Sequence, residues 1–439
     1  MRRDIYRQLL NWKNQANRKP LILGGARQVG KTYILREFGT NEYRKLAFFS
    51  LDRDKRVVDM FEHGGTTADI LLALSALSGV DITANDTLVV LDEIQECPKA
   101  LETLKYFSED MPDIHIVVAG SLLGLSLHGG VSYPVGKVDE LQLYPMTFVE
   151  FLQAMDKERL AEIVRNANWV VMNILSAEYI SLLRQYYYVG GMPAAVLAYT
   201  QQRGLQEVRA LQEQILKDYR RDFSKHAPMR EVPRINMVWD CIPAQLAKEN
   251  KKFVYGAIKK SARASEFEIA IQWLMDAGLV YKASRVSKPT APMKFYEDNN
   301  AFKLFMLDVG LMGAMVGASA REMLVSDNIF SEYKGAFTEL YVYTQLRAEG
   351  LDLYYHSVDN STIEIDFLTQ LTGKVVPIEV KAEVNVKSKS LRTFITNNPT
   401  LHGVRFSMLP YERQEWMTNI PLYACRGLKA EVERGFGNG

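Results

Sequence analysis

Two stretches of this 439-residue chain carry residue types at spacings that can do chemistry. The first is "LILGGARQVGKTYILREFG", in which Gly25, Ala26, Arg27, Gln28, Val29, Gly30, Lys31 and Thr32 make the pattern G-x-x-x-x-G-K-T. Glycines at these points let backbone N–H groups curl around phosphate oxygens at the start of a helix. Lys31 is then the residue that reaches the β and γ phosphates and Thr32 is a magnesium ligand; Arg27 is a candidate phosphate contact, with plain loop surface charge as the commoner reading of such a residue. An apolar strand before the loop and a helical pattern after it supply the context this motif needs.

Two more apolar runs support the same site. "TLVVLDEIQ" predicts a buried strand ending in Asp92-Glu93, with Asp92 on the magnesium shell and Glu93 placed to polarise an attacking water. "IHIVVAGS" predicts a strand ending in Ser121, at the same carboxyl edge if the sheet is parallel, which is where ligands gather in such sheets. The expected cofactors are ATP and Mg2+.

The second stretch, "IEIDFLTQLTGKVVPIEVK", covers Ile363–Lys381. Ile363, Ile365 and Phe367 alternate with Glu364 and Asp366, and Val376, Ile378 and Val380 alternate with Pro377, Glu379 and Lys381, so both halves have the period of a strand. A hairpin turning at Thr372-Gly373 sets Asp366 opposite Glu379 and Glu364 opposite Lys381. Like charges directly opposed are destabilising. A divalent cation justifies the pair, since magnesium is held by one or two carboxylates plus water and phosphate oxygens. Asp366 and Glu379 are therefore expected metal ligands, and Lys381 is expected to orient a water or steady developing phosphate charge. The plain alternative is a solvated edge with charges facing water.

These residues need elements to place them. Residues 156–228 read as helical, with a break at "YYYVGGMPAAV", where Gly190-Gly191 and Pro193 mark a turn and a restart. Between 229 and 329, Ser265-Glu-Phe-Glu268 reads as a capping box, Phe267, Ala270, Ile271 and Leu274 recur at helical spacing, Gly278 stops the helix, and "LVYKASRV" follows as a strand. Helix, turn, helix and β-wing is the order of a winged-helix module. Lys248, Lys251, Lys252, Lys259, Lys260 and Arg263, against Glu249 alone, make the best local site for nucleic-acid phosphates. A docking or oligomer role suits such a module equally well.

Residues 1–155, through "GARQVGKT", "VVLDEIQ" and "AGS", resemble the AAA-type prokaryotic ATPase family. The resemblance extends to "GKVDELQLYPMTFVEFL" (Gly136–Leu152), where the family usually has arginine at the position of Lys137, which makes Lys137 a candidate γ-phosphate sensor or trans finger that keeps the charge but loses the planar fork. Residues 330–425 are similar to the C-terminal domain of unknown function that accompanies this ATPase, and the spacing Asp–x12–Glu-x-Lys is that of the PD-(D/E)xK nuclease core. Lys334-Gly335, Glu339 and Ile378–Lys381 carry that likeness, which implies Glu339 as a further acid. The expected architecture is α/β. It has a P-loop AAA-type domain with a parallel sheet (1–155), a helical segment (156–228), a winged-helix-like part with connector (229–329) and a restriction-endonuclease-like domain (330–439).

Composition narrows the partners. Lysines and arginines exceed aspartates and glutamates by a net +1, so any DNA contact must come from a local patch. Cys97, Cys241 and Cys425 are too scattered for a disulfide framework or a zinc site, which suits the cytoplasm. The N-terminus lacks the apolar core of a signal peptide, and "IHIVVAGSLLGLSL" is too short for a membrane span. ATP, DNA and a second copy of the chain are the partners to test. The leading expectation is an ATP-hydrolysing switch that controls DNA binding or Mg-dependent DNA cleavage. The rival is a switch whose nuclease-like domain only binds a protein or nucleic acid.

Overall fold

The computed structural model describes residues 1–121, 133–248, 252–324, 331–358, 363–382 and 388–435. It forms two compact units, one of Met1–Tyr144 with Gln272–Leu279 and one of Pro145–Ile271 with Val280–Gly439.

The first unit is built on five strands: β1 (Leu21–Gly24), β2 (Lys45–Ser50), β3 (Thr87–Asp92), β4 (His115–Ala119) and β5 (Asp139–Gln142). They lie in the order β2-β3-β4-β1-β5, and every pair is parallel. All residues of β3 and β4 are buried, which explains their continuous apolar runs: a parallel sheet is covered on both faces. Val89, Leu91 and Val118 pack with Phe49, Phe61 and Leu104, each side chain contributing about 1.5–3 kcal/mol by burial. Helix α1 (Lys31–Glu42) follows β1 directly, and α2 (Pro98–Asp110) lies between β3 and β4.

The second unit opens with a capping box. The Thr147 side chain accepts from Glu150 N, and Glu150 reaches back to Thr147 N at 2.8 Å, starting α3 (Phe148–Ala154). Helix α4 (Ser176–Val189) ends at Gly190, as the Gly-Gly-x-Pro signal predicts, and a new helix begins at Pro193. The turn is tight: Gly190 has φ +71°, and Gly191 N donates to the buried Asp308 at 2.6 Å. Asp308 also accepts from Leu311 N at 2.9 Å, so one carboxylate ties two segments together.

Further on, α5 (Val232–Leu246) and α6 (Ala264–Asp276) precede the antiparallel pair β6 (Val280–Val286) and β7 (Glu297–Met306). Helix α6 begins one residue before Ser265, so Ser265 lies inside the first turn rather than capping it. The expected wing is not a free hairpin. Arg285 of β6 pairs with Tyr355 of β8 (Tyr354–Ser357), and β6 and β7 complete an eight-stranded sheet. The expected boundary near 329 and the observed division differ for this reason: strands from both sides of it share one sheet. Of the basic run, Lys251 and Glu249 fall outside the described residues, while Lys259, Lys260 and Arg263 are exposed.

The rest of that sheet is β9 (Glu364–Leu371), β10 (Lys374–Val380), β11 (Gly403–Ser407), β12 (Glu412–Arg413) and β13 (Met417–Pro421). β8, β9 and β10 are antiparallel neighbours, and β11 returns parallel to β10. Helix α7 (Ser331–Ala348) precedes β8, and α8 (Lys389–Asn397) lies between β10 and β11.

Candidate functional site

The phosphate loop joins β1 to α1. Gly30 caps the helix with φ +98°, and Gln28 also takes a positive φ of +66°. Gly25 has φ +146°, and a side chain there would run into the carbonyl of Leu143. Lys31 is buried, and its ammonium donates to Gly25 O at 2.7 Å and Ala26 O at 2.8 Å, curled back inside its own loop. Thr32 Oγ1 donates to Asp92 Oδ2 at 2.6 Å, so hydroxyl and carboxylate converge where a magnesium ion would need both. The two residues fit that ion.

Glu93 sits in the left-handed region at φ +57°, and its carboxylate accepts from the amide of Gln95. Arg27 Nε donates to Ser121 Oγ at 3.3 Å, which joins the loop to the end of β4 and places Ser121 at the carboxyl edge. Lys137 lies elsewhere. It precedes Asp139, which pairs with Leu21 at the start of β1, so it stands at the amino edge of the sheet, where it pairs with Glu109 at 2.9 Å. Contact with its own chain's γ-phosphate is excluded by that direction.

Burial disfavours the Lys31 ammonium and lowers its pKa to about 8, with Glu93 and Asp92 opposing. Nucleotide phosphates favour the charged form, so ATP binding takes up a proton above pH 8. Affinity is expected to fall as pH rises beyond 8, by up to about tenfold per unit. Titration calorimetry between pH 7 and 9.5 checks this, and a flat profile would remove Lys31 from the phosphates.

Two contributors to this site were missed in the sequence. Arg3 is buried, and its guanidinium donates to Val29 O at 2.9 Å and Tyr144 O at 2.6 Å, bracing the loop from behind. Nothing local marks it, because its partners lie 26 and 141 residues away. Arg3→Ala leaves a buried loop carbonyl unpaired, so ATP affinity should drop about tenfold with the fold intact, as read by nucleotide titration and circular dichroism. Gly278, read only as a helix stop, is the other. It has φ +70°, and a Cβ there would stand 3.3 Å from Ala26 N, so the turn after α6 lies against the phosphate loop.

The acidic hairpin forms in the expected register. Thr372 and Gly373 both take positive φ, +46° and +78°, as a two-residue type I′ turn requires. Phe367 pairs with Ile378, and continuing that register opposes Asp366 and Glu379. The ladder changes at this point: Asp366 Oδ2 accepts from Val380 N at 2.8 Å in place of a main-chain bond. Lys381 then turns to β11, donating its N–H to Phe406 O at 2.8 Å, while its ammonium pairs with Glu379 Oε1 at 3.0 Å. The expected opposition of Glu364 and Lys381 is therefore replaced; Glu364 lies beside Ser357 and pairs with Lys303.

Glu379 is buried, and its Oε2 has no hydrogen-bond partner. A buried carboxylate oxygen left this way, facing Asp366 across the hairpin, fits a cation held by two carboxylates and completed by water or phosphate. Glu339, on α7, is buried as well. Among the described residues, no three His, Cys, Asp or Glu side chains converge to hold an ion by themselves.

Comparison with protein families matches three stretches. Residues 17–152 match an AAA domain, residues 180–322 a domain of unknown function (DUF8612), and residues 334–425 another (DUF4143). No curated protein matches the chain. Among solved structures, the chain is similar to the Aeropyrum pernix ORC2 protein in its ADPNP-ADP complexes (12% identity, 76% of this chain and 92% of that one, TM-score 0.34). It is similar to the Aeropyrum pernix ORC1 protein in complex with DNA (16%, 71% and 91%, 0.28) and to the Thermotoga maritima RuvB Holliday junction branch migration motor (16%, 63% and 88%, 0.27). TM-scores this low establish no shared whole-chain fold. No helix among the described residues is long and apolar enough to cross a membrane. Loop, sheet order and family match agree on one part of the chain: residues 17–152 are similar to an AAA domain and carry a P-loop on a parallel sheet.

Proposed function

We propose that this protein is an ATP-hydrolysing switch whose nucleotide state controls a DNA-directed, nuclease-like domain. The observation that carries the ATPase half is the Thr32–Asp92 hydrogen bond beside the buried Lys31, with Glu93 next in sequence to Asp92. Mg2+ held by Thr32 and Asp92 would screen phosphate charge. Lys31 would leave Gly25 O and Ala26 O for the phosphates, and Glu93 would accept the proton of an attacking water. Gly278 offers a route for coupling. It rests against the loop within the first unit, and two residues later Val280 opens β6 of the second unit's sheet.

In the second unit, the order of α7, β8, β9, β10, α8 and β11 supports a restriction-endonuclease-like reading, as does the opposition of Asp366 and Glu379 with Lys381 alongside. Mg2+ held by Asp366 and Glu379 would activate water and stabilise charge on a phosphodiester. Lys381 would orient that water. The exposed Lys259, Lys260 and Arg263 would hold DNA phosphates.

ATP turnover with and without duplex DNA tests the reading. DNA is expected to raise turnover, and Lys259→Glu with Lys260→Glu to remove that stimulation and flatten the salt dependence of binding by about two in slope. DNA binding and turnover untouched by the double substitution would take DNA recognition away from this loop. One observation favours the rival, non-nucleolytic switch: no three described acids converge on an ion. Under that reading the nuclease-like domain binds a protein or nucleic-acid partner and cuts nothing.

A further inference from the structure

Lys303 is the strongest chemistry that neither site reading uses. It lies in β7 within "AFKLFM", a run whose six residues are all buried, and it has no exposed surface of its own. A charge in such a place is costly unless closely paired. Its ammonium donates to Glu364 Oε1 at 2.6 Å and stands 4.8 Å from the centre of the Tyr355 ring. Burial alone would lower its pKa, but Glu339, Glu364 and Asp366 outweigh burial and hold it above the ordinary lysine value. The 2.6 Å pairing makes the lysine the buried partner of Glu364, which lies two residues from Asp366 on the same face of β9, although the lysine comes from a strand that the sequence placed in the preceding module.

Lys303 lies beside Glu364, two residues along β9 from Asp366. Glu379 lies on the other strand of the hairpin, with one oxygen on Lys381 at 3.0 Å and the second buried without a hydrogen-bond partner. Arg405 also acts on Glu379 and is itself held by Asn419 at 2.8 Å. Glu364, Asp366 and Glu379 share one face of the hairpin, and carboxylates so placed need positive charge, which an ammonium or a metal ion can supply.

We propose that Lys303 is a built-in cation of this acidic site, satisfying the Glu364 side and limiting the site to one divalent ion, held between Asp366 and Glu379. The proposal rests on the metal-binding reading of the hairpin. Glu364, two residues from Asp366, is already paired to an ammonium and so is not left for a metal ion.

Mn2+ alone is the probe, with free Mn2+ read by electron paramagnetic resonance against the nucleotide-free full chain. The native chain should bind one Mn2+, lost in Glu379→Gln. Lys303→Met should bind a second ion, or bind the first at least about tenfold tighter, because the positive charge paired to the neighbouring Glu364 is removed. Lys303→Arg keeps the charge and should match the native chain. A folded Lys303→Met with native stoichiometry and affinity would overturn the proposal while leaving the metal site standing. No Mn2+ on either the native chain or Lys303→Met would overturn the metal site itself, and the proposal with it. If Lys303→Met does not fold, Glu364→Gln decides: the freed ammonium moves toward Asp366 and weakens Mn2+ about tenfold, and unchanged binding again overturns the proposal.

Discussion

Glu93→Gln is expected to bind ATP as the native chain does and to turn it over about 10²–10⁴-fold more slowly, the usual contribution of a positioned general base. Glutamine keeps the shape of the side chain and its hydrogen-bonding capacity toward Gln95, so the left-handed turn at position 93 is preserved. What disappears is the carboxylate that accepts a proton from water. Lys31→Ala should behave differently, losing binding as well as turnover, because the loop loses the charge that reaches the phosphates. The two substitutions separate binding from chemistry: nucleotide titration should give native affinity for the first and little for the second. Native turnover in Glu93→Gln would mean that some other group activates the water.

The second large effect concerns the acidic hairpin. Asp366→Asn is expected to remove Mg2+- or Mn2+-dependent DNA breaks almost completely, by about three orders of magnitude, since a catalytic metal supplies several kcal/mol and each 1.36 kcal/mol is tenfold in rate. Asparagine is the better choice than alanine. Its carbonyl still accepts the bond from Val380 N that shapes the end of the hairpin, so fold and charge are tested apart. Duplex and single-stranded DNA should each be tried with and without ATP, native and variant chains side by side. Equal cleavage by both would clear Asp366 of any role. No cleavage by the native chain would favour the rival reading, in which ATP drives binding and release alone.

Much of this was legible locally. The phosphate loop is contiguous, and its strand, glycines and helix are neighbours in sequence, so the pattern could be read without knowing the fold. The hairpin was legible for the same reason: a two-residue turn fixes the register, and the register fixes which side chains oppose. The continuous apolar runs of β3 and β4 announced a sheet buried on both faces, and their parallel pairing followed from that class of sheet.

What tertiary structure alone decided lies at long separation. Arg3 reaches the loop across 26 residues and Tyr144 across 141, through hydrogen bonds that no periodicity encodes. The stretch read as a wing supplied two strands to the C-terminal sheet, because an exposed hairpin edge and an open sheet edge satisfy each other's backbone groups. Lys303 looks misplaced in an apolar strand until Glu364 is brought to it from a strand later in the chain. Sequence by itself determined which residues can do chemistry wherever those residues are close along the chain. Which charges meet, and so what each acidic group is free to bind, was decided only when distant strands were joined, because the energy of a buried charge depends on its neighbours in space.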